Sequence, residues 1–246
     1  EMALVLNQFY SEALTECNSM MAVVPLEKHP GKQYPVLWLL APAGMDHTAW
    51  QRHTDVEGMA ERLGIIVVMP DMKLSYGVDM VHGFAYGQML TEELPKMVGD
   101  YFPADLSRQM IAGTMEGGYG AFYAALRKPG QYRFAACYSC GSLTDEIFDG
   151  REQKQIEHAF GTREFRETSA NRYDLKGRLK DCSGEQSFSL MYSKKDRFAG
   201  SAEQLAEAMK GFPHCKIVKS EADRPLGWND WKLQLEKDLK ENMGKE

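Results

Sequence analysis

Residues 111–121 read Ile-Ala-Gly-Thr-Met-Glu-Gly-Gly-Tyr-Gly-Ala. An apolar run ends in a glycine and a cluster of glycines opens a helical stretch, which is the frame of the strand-to-helix turn called a nucleophile elbow. In a G-x-S-x-G turn the first glycine lets the chain leave its strand sharply, and the later ones let the helix pack close beneath an exposed hydroxyl. Gly113, Gly117 and Gly118 keep that backbone logic, but Met115 stands where the serine would be. A thioether has no proton to give up and cannot attack a carbonyl. The stretch therefore points to a fold while arguing against the chemistry that such a turn usually carries.

Working outward, short β-rich runs alternate with amphipathic helical stretches, the pattern of a mostly parallel sheet flanked by helices. Tyr34–Leu40 (YPVLWLL) and Ile65–Met69 (IIVVM) are near-continuous apolar runs closed by turn residues, as expected of buried parallel strands. Val56–Leu63 between them suits a crossover helix. Glu92–Tyr101 predicts a helix kinked or started late by Pro95. Arg108–Ala112 is the strand entering the elbow and Tyr119–Leu126 the helix leaving it. Further strands are expected at Phe134–Ser139, Ser187–Tyr192 and Lys216–Lys219, with helices at Ala202–Met209 and Trp231–Glu241. Leu4–Ala13 and Met20–Pro25 read as an antiparallel pair at the sheet edge. No linker divides the chain, so residues 1–246 are read as one α/β domain, with the polar stretch at about 145–180 forming a small cap.

Composition narrows the partners. The 246 residues are 43% hydrophobic and 26% charged, with a formal charge of −6, which works against nonspecific attraction to nucleic acid or anionic lipid. The apolar runs are strand-length and far shorter than a membrane span, and the start is not read as a leader, so cytoplasmic residence is the expectation. The five cysteines are an odd number and are read as reduced structural thiols, not as a disulfide framework or a zinc site. No metal-ligand spacing occurs, and the glycines at 113–120 lack the lysine of a phosphate loop, so no cofactor is expected.

With the elbow, the apolar strands and the closing Gly227-Trp-Asn-Asp-Trp231 in place, the chain resembles the putative-esterase family of α/β hydrolases, which includes esterase D (S-formylglutathione hydrolase) and the bacterial tributyrin esterases. Asn7–Leu14, Tyr34–Leu40, His47-Thr-Ala-Trp50, Val67–Asp71, Glu92–Pro95 and Ile111–Ala121 carry the resemblance, which runs nearly end to end. It implies the α/β-hydrolase fold and a Ser, an Asp and a His, in that chain order, at the carboxyl ends of the strands. It also implies action on short acyl esters or acylated thiols. By the same resemblance the nucleophile falls on Met115 and the acid on Asp196, in Tyr192–Phe198. The family's base lies in a motif like Gly-Gly-His-Asp/Glu-Trp; matching its tryptophan to Trp231 puts Asn229 at the histidine. An amide cannot take a proton at neutral pH. The oxyanion loop, His-Gly in the family, is Ala41-Pro42, and proline has no N–H.

Nucleophile and base act as a unit, so after one is lost the others are free to drift. Changes in three separate loops fit a lineage released from hydrolysis. The leading expectation is a family member without serine-ester hydrolysis. It keeps a concave site lined by Met115, Glu116, Trp228, Asn229 and the Ala41, Pro42 and Gly44 loop, for a small acyl-like or carbohydrate-like ligand. Two alternatives stand beside it: altered catalysis through Glu116, Asp196 or Cys140, and a homo-oligomer or partner-binding module acting through its surface. Thr114 or Glu116 would be the reacting group if the elbow is displaced by a residue. Asp230 is read as a helix cap or surface charge, and His47 and His82 as structural hydrogen bonders near the pocket.

Overall fold

Tyr34–Leu40 is buried along its whole length, as a strand covered on both faces must be. It is the third strand of a sheet seen in a computed structural model that describes residues 1–25, 31–143, 152–169, 172–180, 182 and 186–243. The described strands are β1 (Met2–Ser11), β2 (Glu16–Pro25), β3 (Tyr34–Leu40), β4 (Ile66–Pro70), β5 (Ala104–Thr114), β6 (Tyr132–Tyr138), β7 (Ser187–Ser193) and β8 (Cys215–Ser220). They lie in the order β1-β2-β4-β3-β5-β6-β7-β8. The β1/β2 and β2/β4 pairs are antiparallel and the rest parallel. Each run expected as a strand is one, and β5 extends well before Arg108 because Tyr34 and Pro35 of β3 pair with Ala104 and Asp105.

The helices are α1 (Ala49–His53), α2 (Val56–Leu63), α3 (Tyr86–Gln88), α4 (Leu94–Tyr101), α5 (Glu116–Arg127), α6 (Gln153–Phe160), α7 (Arg163–Thr168), α8 (Leu175–Leu179), α9 (Ala199–Met209) and α10 (Trp228–Met243). Alternation along β3 divides the core. Val36, Trp38 and Leu40 join an apolar cluster with residues of α4, α5 and α9, whereas Leu37 and Leu39 join another with residues of α2 and α10. Trp38 is fully buried, and its indole N–H is satisfied by Gln109 Oε1 at 2.9 Å.

Pro95 acts less as a late start than as a local widening. Between α3 and α4, Met89–Glu93 form a π-helical turn, so the helical path continues through the proline. The missing N–H would leave the Thr91 carbonyl without its intrahelical donor. Gln131 Nε2, reaching in from beyond α5, donates to that oxygen at 3.0 Å.

The cap expected at about 145–180 corresponds to a segment in which α6, α7 and α8 are described and residues 144–151 and 170–171 lie outside the described residues. Phe160 of α6 packs edge-on against Tyr119 of α5 and against Tyr173, and the Tyr119 hydroxyl donates to the Tyr173 carbonyl at 2.8 Å. Among the described residues no helix is long and apolar enough to cross a membrane.

The tightest packing is at the elbow. A Cβ on Gly117 would lie 2.3 Å from the Ala41 carbonyl oxygen, and one on Gly113 would lie 2.2 Å from the Gly117 carbonyl oxygen. Both obstacles are backbone, which cannot swing aside as a side-chain tip can. Gly117→Ala is therefore expected to lower unfolding stability by about 2–3 kcal/mol in urea titration, whereas Gly200→Ala, where the added Cβ meets open space, leaves it unchanged or raises it. Gln131→Leu is expected to cost about 1–2 kcal/mol by stranding the Thr91 carbonyl.

Candidate active site

The strand order places a crevice at one defined point. From β3 the chain crosses to β4 on one side and then returns to β5 on the other, so the carboxyl ends of β3 and β5 flank a topological switch point. Leu40, the last residue of β3, pairs with Gly113. The loop after Leu40 and the turn after Thr114 therefore meet, and they carry Ala41–Gly44 and Met115–Glu116.

Met115 has φ 50° and ψ −128°, a left-handed conformation rare for a residue with a side chain. Its N–H donates to the Tyr138 carbonyl at 2.7 Å and its carbonyl accepts from Gly118 N at 2.8 Å, so one residue both closes the strand ladder and opens α5. This is the strained turn of a nucleophile elbow with a thioether at its tip. Thr114 is fully buried at the end of β5 and presents no hydroxyl to a substrate. The neighbouring residues supply no displaced nucleophile.

An oxyanion hole on such a scaffold takes one N–H from the residue after the nucleophile and one from the loop after the neighbouring strand. Here these are the N–H groups of Glu116 and Ala43. Pro42 is buried, and its carbonyl accepts from Met45 N at 3.1 Å. The Glu116 carboxylate instead reaches this point: Oε2 accepts from Ala43 N at 3.3 Å, and the main-chain N–H of Glu116 also favours the charged carboxylate. Glu116 is only 7% exposed. Burial pushes its carboxyl above the ordinary range, against the lowering effect of the two backbone donors and the Arg197 charge, and with a further upward push from Glu152. The cavity beside it is narrow, with room for about one water molecule. Ala41 and Glu116 line that cavity, together with Ala43, Lys73 and Tyr76; Pro42, Gly44 and Trp228 do not.

Asp196, 7% exposed, follows β7. Its Oδ2 accepts from Ser193 N at 2.8 Å and its Oδ1 from Leu226 N at 2.7 Å. None of the five described histidines bonds to it: His47 Nδ1 meets Ser19 Oγ at 3.0 Å, His53 stacks on Trp228 with ring centroids 4.7 Å apart, and His82 is exposed.

Asn229, matched to the base position, is not among the hydrogen-bond partners of Asp196. Asn229 is exposed in the first turn of α10, and the residue of that loop set against Asp196 is Leu226, which is buried in the apolar cluster on which Met115 also packs. Sequence reasoning assigned Leu226 no role. The signal lay in the tryptophan pair: placing the Gly-Gly-His-Asp/Glu-Trp motif on Trp228 instead of Trp231 puts the histidine at 226. Trp228 is held by His53 and by edge-on contacts with Trp50 and Trp231. Asp230 bonds Gly227 N at 2.9 Å and pairs with Arg224 at 2.7 Å, the capping and surface role expected of it.

Cys137-Tyr-Ser-Cys140 has C-x-x-C spacing, and both thiols are buried. Burial first, and then contact with Cys137, pushes the Cys140 thiol far above the ordinary range, so it holds its proton and is a poor nucleophile. Among the described residues no cluster of His, Cys, Asp and Glu could hold a metal ion.

Comparison with known proteins agrees with this geometry. The chain is 27% identical over 152 residues to the S-formylglutathione hydrolase of Paracoccus denitrificans, covering 53% of this chain and 54% of that protein. It is 40% identical over 50 residues to that of Bos taurus, covering 20% of this chain and 18% of the relative. The matched stretches thus span from about a fifth to about half of those relatives. Among solved structures, the Staphylococcus aureus fluorophosphonate-binding serine hydrolase FphF superposes with a TM-score of 0.87 at 18% identity, over 99% of both chains. An S-formylglutathione hydrolase of Agrobacterium tumefaciens superposes at 0.82 with 23% identity, over 99% of this chain and 96% of that one. The family model described as putative esterase matches residues 11–207, and the chain, an α/β hydrolase by fold, belongs to that family.

Proposed function

We propose that this chain is an esterase-family member that has given up serine-ester hydrolysis and works by binding. One observation carries the reading: the strained tip of the elbow presents a thioether, and the carboxylate of Asp196 is bonded by the backbone N–H groups of Ser193 and Leu226, with no histidine among its partners. Neither group can form an acyl intermediate or move the nucleophile's proton. The ligand expected of the site is small and acyl-like or carbohydrate-like, taken on the partly exposed Met115 and Trp228 side, with α6–α8 as its cap. Altered catalysis finds less support, because the carboxylates of Glu116 and Asp196 are both engaged by backbone N–H groups and the Cys140 thiol is buried and protonated.

The test is hydrolysis of p-nitrophenyl acetate. The native chain should show no saturable turnover, Met115→Ser with Leu226→His should gain at least about tenfold over Met115→Ser alone through the restored base, and Met115→Ser with Asn229→His should gain nothing. Saturable turnover by the native chain that survives Met115→Ala would refute the reading.

A surface role has its own supporting observation. On edge strand β1, Leu4, Leu6 and Tyr10 alternate on one face and are 41%, 55% and 57% exposed. Such an edge suits pairing with a second copy. Leu6→Glu is then expected to lower the mass measured by light scattering to that of one chain, and a native chain that is monomeric at high concentration would remove this role.

A further inference from the structure

The oxyanion hole of this chain is complete in its donors, yet it is filled from within. The glycine contacts bring the start of α5 against the end of β3, and there Ala43 N–H, in the loop after β3, meets the Glu116 side chain at the head of α5. Backbone N–H groups aimed together at the start of a helix, in a site shut off from water, bind an oxygen anion whatever molecule carries it. The oxygen found there belongs to the side chain of Glu116, which accepts from Ala43 N at 3.3 Å and whose charge the Glu116 N–H also favours.

We propose that the Glu116 carboxylate is the resident ligand of the oxyanion hole, an internal anion that closes the acyl subsite to ester carbonyls and to carboxylate ligands. The inference rests on the elbow assignment and narrows the proposed function: whatever the site binds is held without the two donors that polarise a carbonyl in an active esterase. A ligand carbonyl brought to this point would meet a negative charge in place of two N–H groups. Developing oxyanion charge would be repelled where the fold ordinarily stabilises it. Glu116 lines the narrow cavity between the Leu40–Ala43 segment and the loop that carries Lys73, Tyr76 and Gly77.

The surroundings hold the charge in place without neutralising it. Arg197, beyond β7, favours the ionised form, while Glu152, before α6, opposes it. The Tyr76 hydroxyl, in the loop after β4, and the Cys140 thiol, after β6, are both pushed up partly by the Glu116 charge, and Lys73 lines the same cavity. Burial raises the carboxyl itself, so protonation frees the donors at a milder acidity than an exposed glutamate would require.

Two measurements test the proposal. In the native chain, the Glu116 carboxyl carbon and the amide protons of Ala43 and Glu116 are followed by NMR against pH. All three should shift together at one midpoint above 4.5, the ordinary glutamate value, and the Ala43 shift should vanish in Glu116→Gln. An Ala43 amide indifferent to Glu116 ionisation would overturn the proposal. In the Met115→Ser, Leu226→His background, adding Glu116→Ala should raise kcat for p-nitrophenyl acetate by about 10²-fold, the scale of an oxyanion donor regained. No gain over a measurably active background would also overturn it. If that background is itself silent with and without Glu116, the failure lies with the assigned nucleophile and base, and the NMR titration alone decides on the hole.

Discussion

The structure depends on a backbone crossing that leaves no room for side chains. Gly113 and Gly117 approach each other, and Gly117 approaches the Ala41 carbonyl, at distances where an added Cβ would overlap backbone atoms. That contact fixes α5 against the end of β3 and forces Met115 into positive φ. It also sets the first residue of α5, Glu116, beside the loop at Ala43. The elbow is thus a consequence of packing between β3, β5 and α5, and it persists whatever residue occupies its tip.

Persistence of the turn without its serine has a physical cause. The strain at Met115 is balanced by bonds that are all main chain: its N–H to Tyr138 and its carbonyl to Gly118. No side-chain chemistry enters that balance, so the nucleophile can change while the geometry stays. The same holds at Asp196, whose two partners are the backbone N–H groups of Ser193 and Leu226. A carboxylate that orders a loop through main-chain bonds serves the fold independently of any catalytic partner.

Glu116 is the costlier feature. A buried carboxylate loses hydration, and two backbone donors with a neighbouring arginine charge only partly offset that loss. The fold tolerates it because the donors already converge there. An empty hole would leave two N–H groups without partners in a closed site, itself a cost. The carboxylate and the hole therefore relieve each other, and the polarity of the site is opposite to that of an esterase on the same backbone.

Patterns within single segments determined much of what was legible. Continuous apolar runs marked β3 and β4, a polar-apolar alternation marked α2, and the glycine frame at 113–118 located the elbow, because each reflects short-range geometry written into neighbouring residues. Met115 at the tip of that turn was readable in the same way. The tertiary structure alone decided the rest. Leu226 lies 30 residues from Asp196 and Ala43 lies 73 residues from Glu116, and no periodicity relates positions so far apart. The closing Gly-Trp-Asn-Asp-Trp drew attention to Asn229, and only the tertiary structure shows that the residue of that loop bonded to Asp196 is Leu226. Glu116 reads in the sequence as a helix-start charge; its position in the oxyanion hole follows from the approach of two strands and a helix at a point where glycine leaves no gap.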